Sequence, residues 1–200
     1  VHEWGGFSTS QMRADIEAGT YSGWDDPRLP TLAGLRNRGT QASALRNFWL
    51  ELGITQKDIS VPLATLYAHN TKVIDDDAPR LTFVRHPADF TLEGEHPNSL
   101  EIPVHPNHEA MGMRKWNLSD GTIWLESEDL EKMDLRLKEF ADVALHDRHA
   151  RIESMDRSDK RPIVHWLPSS HATEAMLTGT KDNTVFHVEG QLELHKYPVG

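Results

Sequence analysis

The sequence predicts an α+β protein in which an N-terminal helical bundle is followed by an antiparallel β-barrel. Three observations support this fold class. Apolar residues recur at helical spacing in the first part of the chain. Short apolar stretches broken by Pro, Gly and Asn fill the remainder. The character of the sequence changes within residues 75–79, Asp-Asp-Asp-Ala-Pro, so we expect two domains, residues 1–76 and 77–200.

Four short helices are predicted in the first domain. Capping residues and glycine stops place them at residues 8–17, 32–38, 40–53 and from 60 onward. In the third helix Leu45, Phe48, Trp49 and Leu52 line one face, as burial against a neighbouring helix requires. Short helices joined by short loops can pack as a bundle.

Seven apolar stretches are predicted as strands of the second domain. They are residues 81–84, 90–92, 100–104, 122–125, 143–145, 163–167 and 185–188. Strands this short at this spacing indicate a barrel or a sandwich. Residues 127–138 are the exception, because they are predicted to form a polar helix inserted among the strands.

The composition is that of a soluble globular protein. The 200 residues are 38% hydrophobic and 26% charged, and no apolar run approaches the ~18–20 residues that span a bilayer. The chain has no Cys, so disulfides and thiolate metal sites are excluded. We expect a cytoplasmic protein. Because the chain starts at Val1 without an initiator Met or a secretory signal, we also expect it to be a fragment.

The formal net charge of −10 argues against a nucleic-acid partner, because phosphate contacts need Lys and Arg. An acidic protein can still carry a local basic face. Composition alone therefore leaves two classes open, a nucleic-acid binder and a soluble protein without such a partner.

Residues 23–32, Gly-Trp-Asp-Asp-Pro-Arg-Leu-Pro-Thr-Leu, form the most informative segment. Two prolines keep the backbone extended. Arg28 is expected to pair with Asp25 or Asp26 and so to brace the loop. Thr31 then caps the helix that leads to Leu-Arg-Asn-Arg-Gly at 35–39.

This segment resembles the glutamyl- and glutaminyl-tRNA synthetase family of class I, in particular its archaeal glutamyl branch and its glutaminyl branch. Further matches follow in the same order, at residues 77–80, 105–107, 111–114 and 163–166. The resemblance covers nearly the whole chain. It implies that residues 77–200 are an anticodon-binding barrel of the glutaminyl-tRNA synthetase type, incomplete at its C-terminus. Residues 1–76 would then be a signature loop and a stem-contacting helical bundle that links active site and barrel.

The resemblance also implies a role for Phe7, Ser8, Thr9, Ser10 and Gln11. These residues stand where class I synthetases carry the mobile Lys-Met-Ser-Lys-Ser loop, which closes over ATP during adenylate formation. Thr9 and Gln11 replace lysines, so the loop offers hydroxyl and N–H groups but little charge. Its Ser-Thr-Ser pattern favours glutamate over glutamine. ATP and Mg²⁺ are expected for the full-length enzyme, bound mostly outside this chain.

The candidate tRNA contacts are cationic or amide side chains. They are Arg28, Arg36, Arg38, Arg80, Asn107, Arg114 and Arg136, with Lys138 as an alternative to Arg136. Arginines near a helix end can meet backbone phosphates, although a solvated helix face is an equally good interpretation. The resemblance implies that Arg80 and Asn107 reach the anticodon loop, whose unstacked bases are read at their edges. Ala144 stands where a glutaminyl enzyme has Arg, which fits a different anticodon.

Two His-x-x-His pairs, at residues 105/108 and 146/149, are interpreted as exposed or hydrogen-bonded histidines rather than as a metal site. Trp124 and Trp166 are expected in the barrel core.

We therefore expect the chain to be part of a glutamate-tRNA ligase. The expected partners of the full-length enzyme are glutamate and tRNA(Glu), with tRNA(Gln) as a second candidate. Alone, the chain is expected not to aminoacylate. The alternatives are a glutaminyl-tRNA synthetase, a truncated relative that only binds RNA, and a barrel without RNA.

Overall fold

The computed structural model describes residues 8–53, 61–156, 160–181 and 184–194. The chain divides into two compact units. Unit 1 comprises residues 1–78 together with 178–186, and unit 2 comprises residues 79–177 together with 187–200.

Unit 1 carries four α-helices. They are α1 (Thr9–Glu17), α2 (Leu32–Asn37), α3 (Ala42–Leu52) and α4 (Leu63–Ile74). Ser8 caps α1 and Thr31 caps α2, each by accepting a hydrogen bond from a backbone N–H three residues further on. α3 ends at Gly53, whose φ of 68° suits a residue without a side chain.

The core of unit 1 is small. Leu35 of α2, Phe48 of α3 and Leu66 of α4 form it, with partly buried apolar residues around them. α1 contains no buried residue. The prediction of a bundle is therefore confirmed only in part, since α2, α3 and α4 share a core and α1 does not.

Unit 2 is mostly β-structure. The twelve described strands of the chain are β1 (Phe83–Arg85), β2 (Pro87–Glu93), β3 (Ser99–Pro103), β4 (Met113–Asn117), β5 (Thr122–Glu126), β6 (Asp134–Leu137), β7 (Asp142–His146), β8 (His149–Ser154), β9 (Ile163–Val164), β10 (Trp166–Pro168), β11 (Ala172–Lys181) and β12 (Thr184–Glu193). Seven of them pair in the order β10-β5-β2-β8-β7-β6-β9. Only His165 separates β9 from β10, the two edges of this sheet, so the sheet is nearly closed like a barrel. β3 pairs with β4, and β1-β12-β11 form a third sheet.

One extended apolar core fills this barrel-like sheet. Leu125, Leu135, Leu137, Val143 and Leu167 have no exposed surface. Along β5 every second residue is buried, as a half-buried strand requires, whereas most positions of β6 and β7 are buried. Burial of this much apolar surface is the main stabilising term of the domain.

Two expectations about the barrel were wrong. The sheet is mixed rather than purely antiparallel, because β2 pairs parallel to β8 and β6 pairs parallel to β9. Residues 127–138 are not a helix, since they hold only a 3₁₀ turn at Ser127–Asp129 and then β6. In Asp134–Leu137 the apolar residues alternate with period two, and that spacing buries both leucines only in a strand.

Besides β6, sequence patterns missed three strands, β4, β8 and β11. Each carries charged or small residues that hide its alternation. In the described part of the chain, no helix is long and apolar enough to cross a membrane.

Candidate nucleic-acid interface

Unit 2 contains a pocket of about 290 Å³ with apolar walls and a charged rim. The walls come from Ile102, Trp116 and Trp166, among others. The polar side chains that line it are Arg80, Thr82, Arg114, Lys138, Glu139 and His165. Several of the pocket residues come from segments that the sequence analysis associated with tRNA binding.

The backbone of Arg80 is held from two sides. Its N–H donates to the carbonyl of Val104 at 2.9 Å, and its own carbonyl accepts from Nη2 of Arg114 at 2.8 Å. The Arg80 side chain itself is exposed at the pocket. A fixed backbone with an accessible guanidinium is the arrangement expected of a ligand-contacting arginine.

Arg114 is the inner counterpart of Arg80. Its side chain is 9% exposed, and its Nε lies 2.5 Å from Oε1 of Glu193, in an ion pair rather than an aligned hydrogen bond. Nη1 donates to the carbonyls of Pro103 and Val104 at 3.1 and 3.3 Å. Because its donors face protein groups, the geometry gives Arg114 a structural role, and its contact with tRNA stays a prediction.

Glu193 completes this arrangement. The carboxylate is 1% exposed and accepts from Nε1 of Trp116 at 2.9 Å and from the N–H of Thr82 at 3.0 Å. A buried carboxylate is tolerable only when paired and hydrogen-bonded, and here it has three partners. Glu193 thus ties β12 to the segment that carries Arg80.

An aromatic cluster forms the floor of the pocket. The rings of Trp116 and Trp166 meet edge to face at 5.2 Å, and Phe140 stacks on Trp166 at 5.1 Å. Nε1 of Trp166 donates to the carbonyl of Lys138 at 2.9 Å. The floor therefore fixes the β6–β7 turn against the pocket. The expected core position of Trp166 is confirmed, whereas Trp124 is only partly buried.

The β6–β7 turn brings a cation and an anion to the rim. The N–H of Phe140 donates to the carbonyl of Leu137 at 3.0 Å, which closes a four-residue turn around Lys138 and Glu139. Both side chains are exposed. Glu139 has φ = 61°, a left-handed conformation that glycine or asparagine adopts more readily.

Asn107 lies on the loop after β3, with its side chain exposed. Its N–H donates to Nδ1 of His105 at 3.1 Å. The ring of His105 is buried, packs edge to face on His108 at 4.5 Å, and has an Nε2 without a hydrogen-bond partner among the described residues. His105 therefore shapes the loop that presents Asn107.

Arg136 is buried and not at the surface. Its Nη1 lies 3.0 Å from Oδ1 of the buried Asp142 and 2.9 Å from the carbonyl of Asp156. These partners make Arg136 a link between β6, β7 and the end of β8. A direct tRNA contact by Arg136 stays a prediction, and this geometry does not favour it.

In unit 1, the predicted brace in the loop before α2 is present, with Asp26 as the partner. Nε and Nη2 of Arg28 lie 2.9 and 2.7 Å from the two carboxylate oxygens, and Asp26 also accepts from the N–H groups of Ser22 and Arg28. The hydrogen bonds from Arg28 hold the pKa of Asp26 well below its usual range. Arg28 also donates to the carbonyl of Thr20 and covers the ring of Tyr21, so most of its donors serve the loop.

Arg36 and Arg38 differ in their surroundings. Arg36 is exposed on α2. Arg38 is partly buried and lies over the ring of Tyr67, 5.3 Å from its centroid, and burial lowers the pKa of its guanidinium. Of the two, Arg36 is the more accessible to a phosphate.

Residues 7–11 are the segment that resembles the ATP-side loop. Phe7 lies outside the described residues, and residues 8–11 form the start of α1. Ser8 Oγ accepts from the N–H of Gln11 at 3.1 Å, and the Gln11 amide donates to Asp15 at 2.8 Å. The first turn, which includes Thr9 and Ser10, carries no basic side chain. These residues offer a phosphate hydroxyl and backbone donors but no cation.

The described residues contain no group of three or more His, Asp or Glu side chains placed to hold a metal ion. Sequence reasoning missed Glu139, which lines the pocket, and Glu193, which holds pocket residues in place. Glu193 had no available signal, because it lies 111 positions from its partner Thr82. Glu139 was hidden by the incorrect helix prediction.

Residues 78–156 match the family model for tRNA synthetases class I (E and Q), anti-codon binding domain. The matched segment carries Arg80, Asn107 and the β6–β7 turn. The matched residues are therefore an anticodon-binding domain of the class I tRNA synthetases for glutamate and glutamine.

Within that family, the relatives found are archaeal glutamate–tRNA ligases. The protein of Methanosarcina acetivorans is 39% identical over 180 residues, which are 84% of this chain and 31% of that protein. The protein of Methanosarcina mazei is 38% identical over 180 residues, which are again 84% of this chain and 31% of that protein. That of Archaeoglobus fulgidus is 35% identical over 190 residues, 91% of this chain and 34% of the relative. The chain thus spans about a third of the length of the curated relatives it matches.

Proposed function

We propose that the chain is part of a glutamate–tRNA ligase and that residues 77–200 bind the anticodon arm of tRNA(Glu). The observation that carries this proposal is the pocket in unit 2, where Arg80 and Lys138 stand at the rim of an apolar cavity. The similarity to archaeal glutamate–tRNA ligases supports glutamate, rather than glutamine, as the amino acid. The full enzyme would join glutamate to tRNA through a glutamyl-adenylate.

The chemistry of the pocket suits an unstacked nucleobase. A base has apolar faces, which can pack on exposed lining side chains such as Leu81 and Pro106, and a polar edge with both donors and acceptors. The rim presents donors from Arg80 and Lys138 and an acceptor from Glu139. A phosphate would need only the cations and would be repelled by the carboxylate.

The remaining assignments follow the resemblance. Residues 1–76 would link the active site to the barrel, with Arg36 the best-placed side chain for a phosphate of the tRNA stem. Residues 7–11 would form the ATP-side loop. ATP would bring Mg²⁺, and both would be held mostly by other parts of the enzyme. tRNA(Gln) stays a second candidate substrate, and the cytoplasm is the proposed location.

Two other functions were considered. A glutaminyl-tRNA synthetase is not favoured, because the relatives found are glutamate–tRNA ligases. A relative that only binds RNA would retain the pocket but not amino-acid activation. Charging of glutamate and glutamine by the full-length protein separates these functions from the proposed one.

The test is binding of the chain to tRNA(Glu) and to an unrelated tRNA across a salt series. We expect a preference for tRNA(Glu), and we expect Arg80→Ala to weaken that binding by about tenfold, as loss of one charged contact does. Arg151→Ala is the matched control, because Arg151 is exposed on β8 and does not line the pocket. Equal affinity for both tRNAs, or equal effects of the two substitutions, would contradict the proposal.

A further inference from the structure

Glu139 is the carboxylate among the polar side chains that line the pocket of unit 2. The others include Arg80, Lys138 and the imidazole of His165. The Glu139 carboxylate is exposed, and it forms no hydrogen bond or ion pair with the residues that the structure describes. It therefore presents acceptor oxygens to whatever enters the pocket.

The backbone at Glu139 is held in an unfavourable conformation. Its φ of 61° is left-handed, and the turn around Lys138 and Glu139 is of the kind in which glycine or asparagine is preferred at this position. Two hydrogen bonds around the turn maintain this conformation. Nε1 of Trp166 donates to the carbonyl of Lys138, and the N–H of Lys138 donates to the carbonyl of Val164. A glutamate in this place does not serve the turn, which glycine would form with less strain.

We propose that Glu139 is a specificity-determining residue, whose carboxylate accepts a hydrogen bond from the exocyclic amino group of an unstacked anticodon cytosine. This inference rests on the proposed function. The glutamate codons GAA and GAG pair with anticodons made of pyrimidines. Of the two pyrimidines, cytosine carries an amino donor at the position where uracil carries a carbonyl acceptor, and carboxylates pair with that amino group.

The pocket offers complementary groups for the rest of such a base. Arg80 and Lys138 provide donors that suit the carbonyl and ring-nitrogen acceptors of cytosine. The exposed side chains of Leu81 and Pro106 provide apolar surface. With uracil in the same position, the carboxylate would face a carbonyl oxygen, and the two acceptors would repel each other. Glu139 thus contributes discrimination, whereas the cations contribute affinity.

The experiment measures dissociation constants of the 200-residue chain for transcripts of tRNA(Glu), one with the native anticodon and others with a single anticodon cytosine changed to uracil. We expect the unmodified chain to prefer cytosine at one anticodon position. In Glu139→Gln this preference should fall by on the order of tenfold, because the amide can either accept or donate. Binding to the uracil transcript should be retained or strengthened.

Two controls separate this role from general effects. Glu95→Gln removes the same charge from an exposed loop position outside the pocket, so it should leave the preference unchanged. Glu139→Gly should remove the preference without lowering the midpoint of thermal unfolding, because glycine accepts the left-handed backbone. A merely structural Glu139 would give the opposite result, a lower midpoint with the preference intact.

The outcomes also distinguish the inference from the function on which it rests. Preferential binding of tRNA(Glu) together with an unchanged cytosine preference in Glu139→Gln overturns the role of Glu139 and leaves the proposed function standing. Absence of any preference for tRNA(Glu) in the unmodified chain overturns both.

Discussion

At the scale of single residues, a buried carboxylate organises the backbone in each of the two units. Asp26 is 2% exposed and orders the loop before α2 through Ser22 and Arg28. Glu193 is equally buried and fixes the segment that carries Arg80, partly through Arg114. In each case an arginine neutralises the carboxylate while further N–H donors bond to it, two backbone groups at Asp26 and one backbone group plus the Trp116 indole at Glu193.

The low pKa of Asp26 leads to a pH dependence. A carboxylate whose pKa is depressed by folding stabilises the protein fully above its unfolded pKa of about 4, and that stabilisation is lost as the pH falls below this value. The described α-helices all lie in unit 1, so the helical far-UV signal reports its unfolding. We expect the urea midpoint of this signal to be lower at about pH 3 than at about pH 7.

Asp26→Asn is the corresponding variant. It should destabilise unit 1 by about 3 kcal/mol at neutral pH, because it leaves Arg28 without its charged partner, and it should flatten the acid dependence. An unchanged acid dependence in Asp26→Asn would show that other carboxylates cause it.

At the scale of elements, α2 begins in close contact with the loop that precedes it. A side chain at Gly34 would place a Cβ 2.6 Å from the carbonyl oxygen of Leu29 and 2.7 Å from that of Asp26. Thr31 reinforces this contact by capping α2 while donating to the carbonyl of Trp24. The loop and the helix therefore form one structural element, held together by close backbone approach.

Gly34→Ala should destabilise unit 1 despite the higher helix propensity of alanine. Propensity favours alanine by about 1 kcal/mol, whereas the two backbone clashes cost about 1–3 kcal/mol or more, because backbone atoms cannot move aside. Urea unfolding followed by the helical signal measures the net effect. Ala33→Gly, at an exposed position of α2, measures the effect of helix propensity alone. Gly19→Ala is unsuited as a control, because Gly19 has a positive φ.

At the scale of the whole molecule, the two units differ greatly in the size of their cores. Among the described residues, nineteen buried side chains form the core of unit 2, whereas three form that of unit 1. Since buried apolar area is the main source of stability, unit 1 should be the less stable part.

Native-state hydrogen exchange measures this difference. Amides of α3 and α4 should exchange through openings of lower free energy than those of β5 and β7, whose residues belong to the large core. Phe48→Ala should lower the free energy of unfolding of α3 and α4 by up to about 5 kcal/mol. Amide exchange in these helices should therefore increase, with little change in β5. Equal protection of the two units before substitution would contradict the expected order.

The sequence by itself determined many of the local elements and the resemblance to a family. Apolar spacing located the four described helices, because helix faces depend on neighbours within a few residues. Capping residues located the starts of α1 and α2, whereas Gln41 and Pro62 precede α3 and α4 without a side-chain cap. The ten-residue motif at 23–32 and its ordered companions were sufficient to recognise the glutamyl and glutaminyl tRNA synthetases, which the comparisons then supported. The brace between Arg28 and Asp26 was predictable for the same reason, since the two residues are separated by a single position.

Only the tertiary structure decided which arginines are buried and which are accessible. Arg80, Arg114 and Arg136 are alike in sequence, yet Arg80 is exposed, whereas the side chains of Arg114 and Arg136 are largely buried beside Glu193 and Asp142. The parallel pairings of the sheet and the strand at 134–137 also depended on partners far along the chain. The physical reason is that burial of a charge or a strand depends on what packs against it, and those contacts are made between segments that local patterns do not connect.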